Sequence, residues 1–316
     1  MKKINFLMAT LTAITLGSCI TDEIEIPKSE GNHENPQVIQ ISATMDTGAA
    51  TRAGTALQST ALSFDASRKA GVYVYKNTKT AITDSYGYEN NQVTALAADG
   101  TLTTTAMFYP QDGGAIDAYV YAPYVSTGAS LAAMPFTING NQSSDANYLA
   151  SDFVFGKTAN VSTGNAAEVT LNHALSKIIV NVTAGTGSPS LTGLSGIQLT
   201  GINTKATINM TTAFNNTRPY VNKSAVTSNT TGNVTVSSGT TTTAACIIPP
   251  QTTPAGAKIS LTIDEATKTA DINGQEFEPG KVYTIAVTLN LNAITVKVTS
   301  IEDWATGTTI NKAITM

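Results

Sequence analysis

Titratable and redox-active side chains are scarce in this chain. Its 316 residues include two histidines, two cysteines and one tryptophan. Charged side chains make up 13%, about half the roughly 25% of an ordinary globular domain. A zinc site usually takes several Cys or His ligands, and too few are present to assemble one. Adjacent acids in the later half occur at Asp264-Glu265 and Glu302-Asp303. Neither has the spacing of a calcium loop, and both are expected on turns. No metal and no cofactor is expected. His33 lies among Gly31, Asn32 and Pro36 in a stretch without period. His173 is a lone imidazole on an expected strand, where a packed or hydrogen-bonded role is the ordinary one. Asp112-Gly113-Gly114 is a turn and not a phosphate cradle, because no helix and no Lys-Ser/Thr follows. Lysine and arginine do not cluster, which excludes nucleic acid as a partner. This inventory supports no enzyme.

The N-terminus is more informative. Met1-Lys2-Lys3 is a short basic start, and residues 4–16 form an apolar run without charge. The run is too short and too weakly apolar for a transmembrane helix. It reads as a removable signal peptide over residues 1–18. Leu16-Gly17-Ser18-Cys19 places two small residues between an apolar one and a cysteine, which resembles the lipobox of bacterial lipoproteins. Cys19 is therefore the expected lipidation site. Each acyl methylene contributes about 0.8 kcal/mol on burial, so several chains hold a protein on a membrane without a spanning helix. Loss of residues 1–18 removes Lys2 and Lys3 and no acid, moving the formal net charge from −4 to −6. With Cys19 acylated, Cys246 is the only thiol left, and no intramolecular disulfide forms. Cys246 sits in Ala244-Ala245-Cys246-Ile247-Ile248 and is expected to be a small buried core residue.

Residues 19–36 show no period and read as a flexible tether. From there the period is two. Ile39, Ile41, Ala43 and Met45 alternate with Gln40, Ser42 and Thr44, the pattern of a half-buried strand. Further strands are expected at 71–75, 105–109, 116–121, 197–202, 245–248, 259–263, 283–289 and 294–298. Residues 169–182 read as one long strand or a pair. Prolines at strand ends and short glycine-rich turns fit β-sandwiches. The stretch 224–243, nearly all Thr, Ser, Asn, Gly and Val, is expected to be a hairpin around Val234 and Val236. No helix is expected beyond the signal peptide, save a turn or two within 49–63. The fold class is all-β. About 14 strands over roughly 280 residues exceed one sandwich, so two tandem domains are expected at 37–165 and 166–316.

Only three arginines occur: Arg52, Arg68 and Arg218. Arg52 stands in an Ala-, Gly- and Thr-rich loop behind the first strand. A cut between Arg52 and Ala53 by an arginine-specific protease frees that strand. The groove left behind, flanked by unpaired backbone groups, is a template for another strand. Spacing alone favours the plainer alternative, an ordinary loop arginine.

Several segments, in fixed order, are similar to the fimbrillin family of Bacteroidota type V pili, in particular its Mfa-like group. They are the lipobox at Cys19, Ile39-Gln40-Ile41-Ser42-Ala43 leading to Thr51-Arg52-Ala53, and Gly71-Val72-Tyr73-Val74-Tyr75. Ala118-Tyr119-Val120-Tyr121-Ala122-Pro123 and Asn172-His173-Ala174-Leu175-Ser176-Lys177-Ile178 follow. Glu278-Pro279-Gly280-Lys281-Val282-Tyr283 and Ile301-Glu302-Asp303-Trp304 complete the series. The resemblance implies two transthyretin-like β-sandwich domains in tandem and export as a lipoprotein. Asp22, Glu23 and Glu25 are similar to signals that send such lipoproteins to the outer face of the outer membrane. Also implied are processing at Arg52, loss of the strand carrying Ile39, Ile41, Ala43 and Met45, and head-to-tail polymerisation with other pilus subunits into a surface fimbrium. The implied donor strand lies within 306–316, with Ile310, Ile314 and Met316 as plugs. Trp304 is expected to close the core of the second domain. The alternatives are a tip adhesin, holding a host glycan or protein through Tyr86, Tyr88 and Tyr124, or a monomeric surface lipoprotein.

Overall fold

The computed structural model describes residues 36–45, 69–77, 87–93, 95–96, 101–188, 190–212, 221–291, 293–304, 309–310 and 314–315. Strands dominate, as expected for a chain rich in threonine and β-branched residues. The earlier half contains β1 (Ile41–Met45), β2 (Gly71–Lys76), β3 (Gly87–Gln92), β4 (Ala95–Leu96), β5 (Leu102–Thr103), β6 (Ile116–Ala122) and β7 (Met134–Thr137). The helix α1 (Asp145–Ala150), β8 (Val154–Val161) and β9 (Ala167–His173) follow. The later half begins with β10 (Ser176–Ala184), β11 (Leu194–Ile208), β12 (Val226–Ser237), β13 (Thr243–Ile248), β14 (Gln251–Thr252) and β15 (Lys258–Ile263). It ends with β16 (Ala266–Asp271), β17 (Glu276–Phe277), β18 (Lys281–Leu289), β19 (Ile294–Asp303), β20 (Thr309–Ile310) and β21 (Ile314–Thr315).

One sheet has the order β1-β9-β8-β6-β2-β3. A second has the order β13-β10-β18-β19-β20, with β21 also on β19, and a third has β12-β11-β15-β16, with β7 also on β11. Ile178, Val180, Ile285 and Val287 of the second sheet and Ile197, Leu199, Ile259 and Leu261 of the third belong to one buried cluster. Two sheets sharing an inner face in this way form a sandwich.

The first sheet is apolar on both faces. Tyr73, Tyr75, Tyr119, Tyr121 and Phe155 stand on one side and join the cluster of the later half. Val72, Val74, Ala118, Val120 and Val154 alternate with them and form a separate cluster on the other side. Strand pairing crosses residue 165 in both directions. β9 completes the first sheet, and β7 lies antiparallel to β11 with Met134 and Phe136 in the sandwich core.

Four local expectations are corrected. Residues 105–109 are not a strand; only Phe108 forms an isolated bridge, to Val38, because this segment bonds to the lead-in of β1. Residues 224–243 are not a hairpin. β12 pairs with β11 and β13 with β10, so the chain crosses from one sheet to the other between them. Glu302 and Asp303 lie on β19, opposite Val282 and Lys281, and Lys281 forms an ion pair with Asp303. Finally, α1 is a helix where none was expected. The Ser144 side chain caps it by accepting from the Asn147 N–H at 3.4 Å; six residues are too few for a periodic signal. The stretch 169–182 resolves into a pair, β9 and β10, in different sheets.

Candidate functional site

β1 lies at the edge of the first sheet, parallel to β9, with Ile41 opposite Ala167, Ala43 opposite Val169 and Met45 opposite Leu171. Partners in a ladder face the same side, so the inward residues of both strands make one apolar strip. Ile39, Ile41 and Ala43 are 6%, 3% and 2% exposed, while Gln40 and Thr44 face solvent. The opposite wall of the slot is segment 101–109. The Ile39 N–H donates to the Met107 carbonyl at 2.8 Å and the Tyr109 N–H to the Gln37 carbonyl at 2.9 Å. Ser42 bridges to Thr101, and the Ala167 N–H donates to the Gln40 carbonyl at 2.8 Å. A cleft of about 190 Å³ opens at the N-terminal mouth between Pro36, Gln37, Tyr109, Pro110 and Thr163. Burial of each isoleucine contributes roughly 1.5–3 kcal/mol. The expected displaceable strand thus occupies a slot walled on both sides, with its side chains as plugs.

A second constellation joins the first and second sheets. The His173 Nδ1 lies 2.8 Å from the Asp152 Oδ1, both side chains being buried. The imidazole stacks on the Trp304 indole with centroids 3.8 Å apart and planes 2° from parallel. The Lys177 Nζ lies 5.8 Å from the ring centroids of both Trp304 and Tyr148. Burial pulls the Lys177 ammonium down to about 8, and the negative charge of Asp152 works in the opposite direction. Backbone bonds tie the place together: the Gly280 N–H donates to the Leu175 carbonyl and the Trp304 N–H to the Gly280 carbonyl, both at 2.9 Å. Ser176 Oγ donates to the Glu278 carbonyl at 2.7 Å. Asp152 carried no signal in the sequence, since nothing local links it to a histidine 21 residues away. Among the described residues no group of three His, Cys, Asp or Glu side chains is gathered as metal ligands.

A family model described as fimbrillin-like matches residues 51–304. The chain belongs to the fimbrillin-like family. A solved structure described as a cell adhesion protein from Bacteroides ovatus is similar at 20% identity and a TM-score of 0.63, over 85% of this chain and 98% of that one. Another so described, from Bacteroides uniformis, is similar at 18% identity and a TM-score of 0.60, over 84% and 98%. At such identities the likeness is one of fold. A comparison with curated proteins finds no match.

In this fimbrillin-like chain the matched span starts at Thr51, so β1 falls outside it although β1 is built into the first sheet. In the tail, the described pairs β20 and β21 both lie on β19. Ile310 pairs with Ile301, and Ile314 with Val298, both antiparallel. Cys19, His33, Arg52, Ala53, Tyr86 and Met316 lie outside the described residues. Tyr88 and Tyr124, named as adhesin contacts, are engaged in packing. The Tyr88 hydroxyl accepts from the Phe108 N–H at 2.9 Å, and Tyr124 stacks on Tyr121 at 6.5 Å. Cys246 is fully buried, which pushes its thiol pKa up. Trp304 packs half-buried against the sandwich core.

Proposed function

We propose that this chain is a structural subunit of a cell-surface fimbrium that is joined to its neighbour by exchange of β1 for another strand. The observation that carries this reading is the seat of β1. It is an edge strand whose alternating side chains fill a walled slot, and it precedes the span that the fimbrillin-like family shares. The route to exchange is export as a lipoprotein on Cys19 to the outer membrane, then cutting between Arg52 and Ala53 by an arginine-specific protease. Loss of β1 with its anchor leaves the β9 edge and segment 101–109 unpaired around an apolar floor, a state that favours an incoming strand. The chain then works as two domains, 37–165 and 166–316, with β9 and β7 each pairing across that boundary.

The test is the N-terminus of the chain recovered from surface fibres. Mass analysis should find it beginning at Ala53, and Arg52→Ala should keep the chain out of fibres. Fibres whose subunit still begins at an acylated Cys19 and retains β1 would end this reading.

A further inference from the structure

The slot and the tail of the same chain do not match. Seats 39, 41 and 43 are held by a large, a large and a small apolar side chain, each at most 6% exposed. Taken from the sequence as an incoming extended strand, the tail would set Ile310, Lys312, Ile314 and Met316 on one face. Lys312 stands between Ile310 and Ile314. Every pairing that seats both isoleucines therefore seats the lysine as well, whichever way the strand runs. Aligning the two Met ends, so that Met316 takes the place of Met45, puts Lys312 in the seat of Ile41 and Ile314 in that of Ala43. The first swap buries an ammonium without a partner among apolar neighbours. The second forces extra methylenes into the seat of a methyl group. Sliding the tail by two residues brings Lys312 to the seat of Ile39 near the mouth, where its stem reaches solvent. Ile310 then lies beyond the buried seats, and only Ile314 and Met316 remain as plugs.

Resting on the strand-exchange reading above, we infer that the slot excludes this chain's own tail and takes a strand from a different subunit. The incoming strand carries uncharged residues in the order large, any, large, any, small, with polar side chains at the outward positions as in Gln40, Ser42 and Thr44. The chain therefore joins a mixed fibre and does not polymerise by itself. Lys312 is the residue that enforces this, as a charge placed against the wrong partner.

The full mature chain, with Arg68 and Arg218 replaced by lysine, is cut after Arg52 and offered three labelled peptides. These are residues 37–46, residues 306–316, and residues 306–316 with Lys312→Ile. Fluorescence anisotropy should show the first and third binding and the second weaker than the third by on the order of 100-fold. Native-tail binding within about threefold of the Lys312→Ile peptide, while peptide 37–46 also binds, overturns the inference and leaves strand exchange standing. Failure of peptide 37–46 itself to enter overturns strand exchange, and the inference goes with it.

Discussion

On one face of the first sheet stand Tyr73, Tyr75, Tyr119 and Tyr121; on the other stand Val72, Val74, Ala118 and Val120, drawn from the same two strands. The aromatic face is continuous with the core of the later half. Tyr121 lies 6.0 Å from Tyr73 and 5.7 Å from Phe153, which in turn meets Phe136 edge-on at 5.1 Å. Large rings offer much area to a face that is never to be opened. On the aliphatic face, β1 supplies part of the cover with Ile39, Ile41 and Ala43. Gly71 belongs to the same division of labour: a Cβ there would fall 2.3 Å from the Tyr121 ring, so the aromatic face closes over bare backbone. One face thus joins the two halves in a single core, while on the proposed reading the other face is the one whose cover is exchanged.

The strongest way to break this contrast is on the aromatic side. Tyr121→Ala should cost about 3–5 kcal/mol, read by denaturant unfolding. It should lower the stability of both halves together, since Tyr121 belongs to their shared cluster. Ile41→Asp should cost less, roughly 2–3 kcal/mol. The carboxylate need not stay buried, because β1 leaves its slot, and the loss is then capped by what the strand contributes. Hydrogen exchange should become fast in residues 37–45 and stay slow in β6. The outward Gln40→Asp should change little, within about 0.5 kcal/mol. Equal effects of Ile41→Asp on β1 and on β6 would remove the distinction between the faces.

A fourth substitution tests the wall of the slot. Gly156 on β8 faces β9 so closely that a Cβ would fall 2.1 Å from the Thr170 carbonyl oxygen. Gly156→Ala should push β9 outward at about 1–3 kcal/mol. Exchange should then quicken in β9 and β1 before any other strand. Protection unchanged in β1 would show that its seat does not depend on how closely β9 is held.

Period two in the sequence was enough to find β1, β2, β6, β10, β15, β18 and β19, and to see which residues of β1 point inward. It was not enough to say which side of a fully apolar strand meets which core. Val72 and Tyr73 are both buried, so alternation of polarity gave no orientation. Non-local pairing was likewise invisible. β12 and β13 are neighbours in sequence, yet they belong to opposite sheets. The three late motifs of the family resemblance were legible as strings, but their common place was not. His173, Gly280 and Trp304 meet only because the end of β9, the start of β18 and the end of β19 lie side by side. Asp152, which holds His173, carried no motif at all.

That meeting place yields the effect whose size depends on pH. Lys177 is 4% exposed, on the strand that leaves the first sheet for the second. Asp152, His173, Tyr148 and Trp304 are the groups around it. Burial lowers its pKa from 10.5 to about 8, so the folded chain gives up this proton before the unfolded chain does. Between about pH 8 and 10.5 the unfolded state binds more protons, and stability attributable to this group rises with pH. Below about 8 the full cost of burying the ammonium, a few kcal/mol, is present. Lys177→Met keeps the length of the side chain and removes that cost. Against the native chain the variant should therefore gain most at pH 7, and the gain should shrink as the pH approaches 10. Denaturation midpoints of both proteins at pH 7, 8, 9 and 10 measure the difference directly, with titration of the tyrosines common to both cancelling. A difference that stays level across this window would mean that Asp152 fully compensates the buried charge, and that the lysine stabilises the joint between the sheets instead of burdening it.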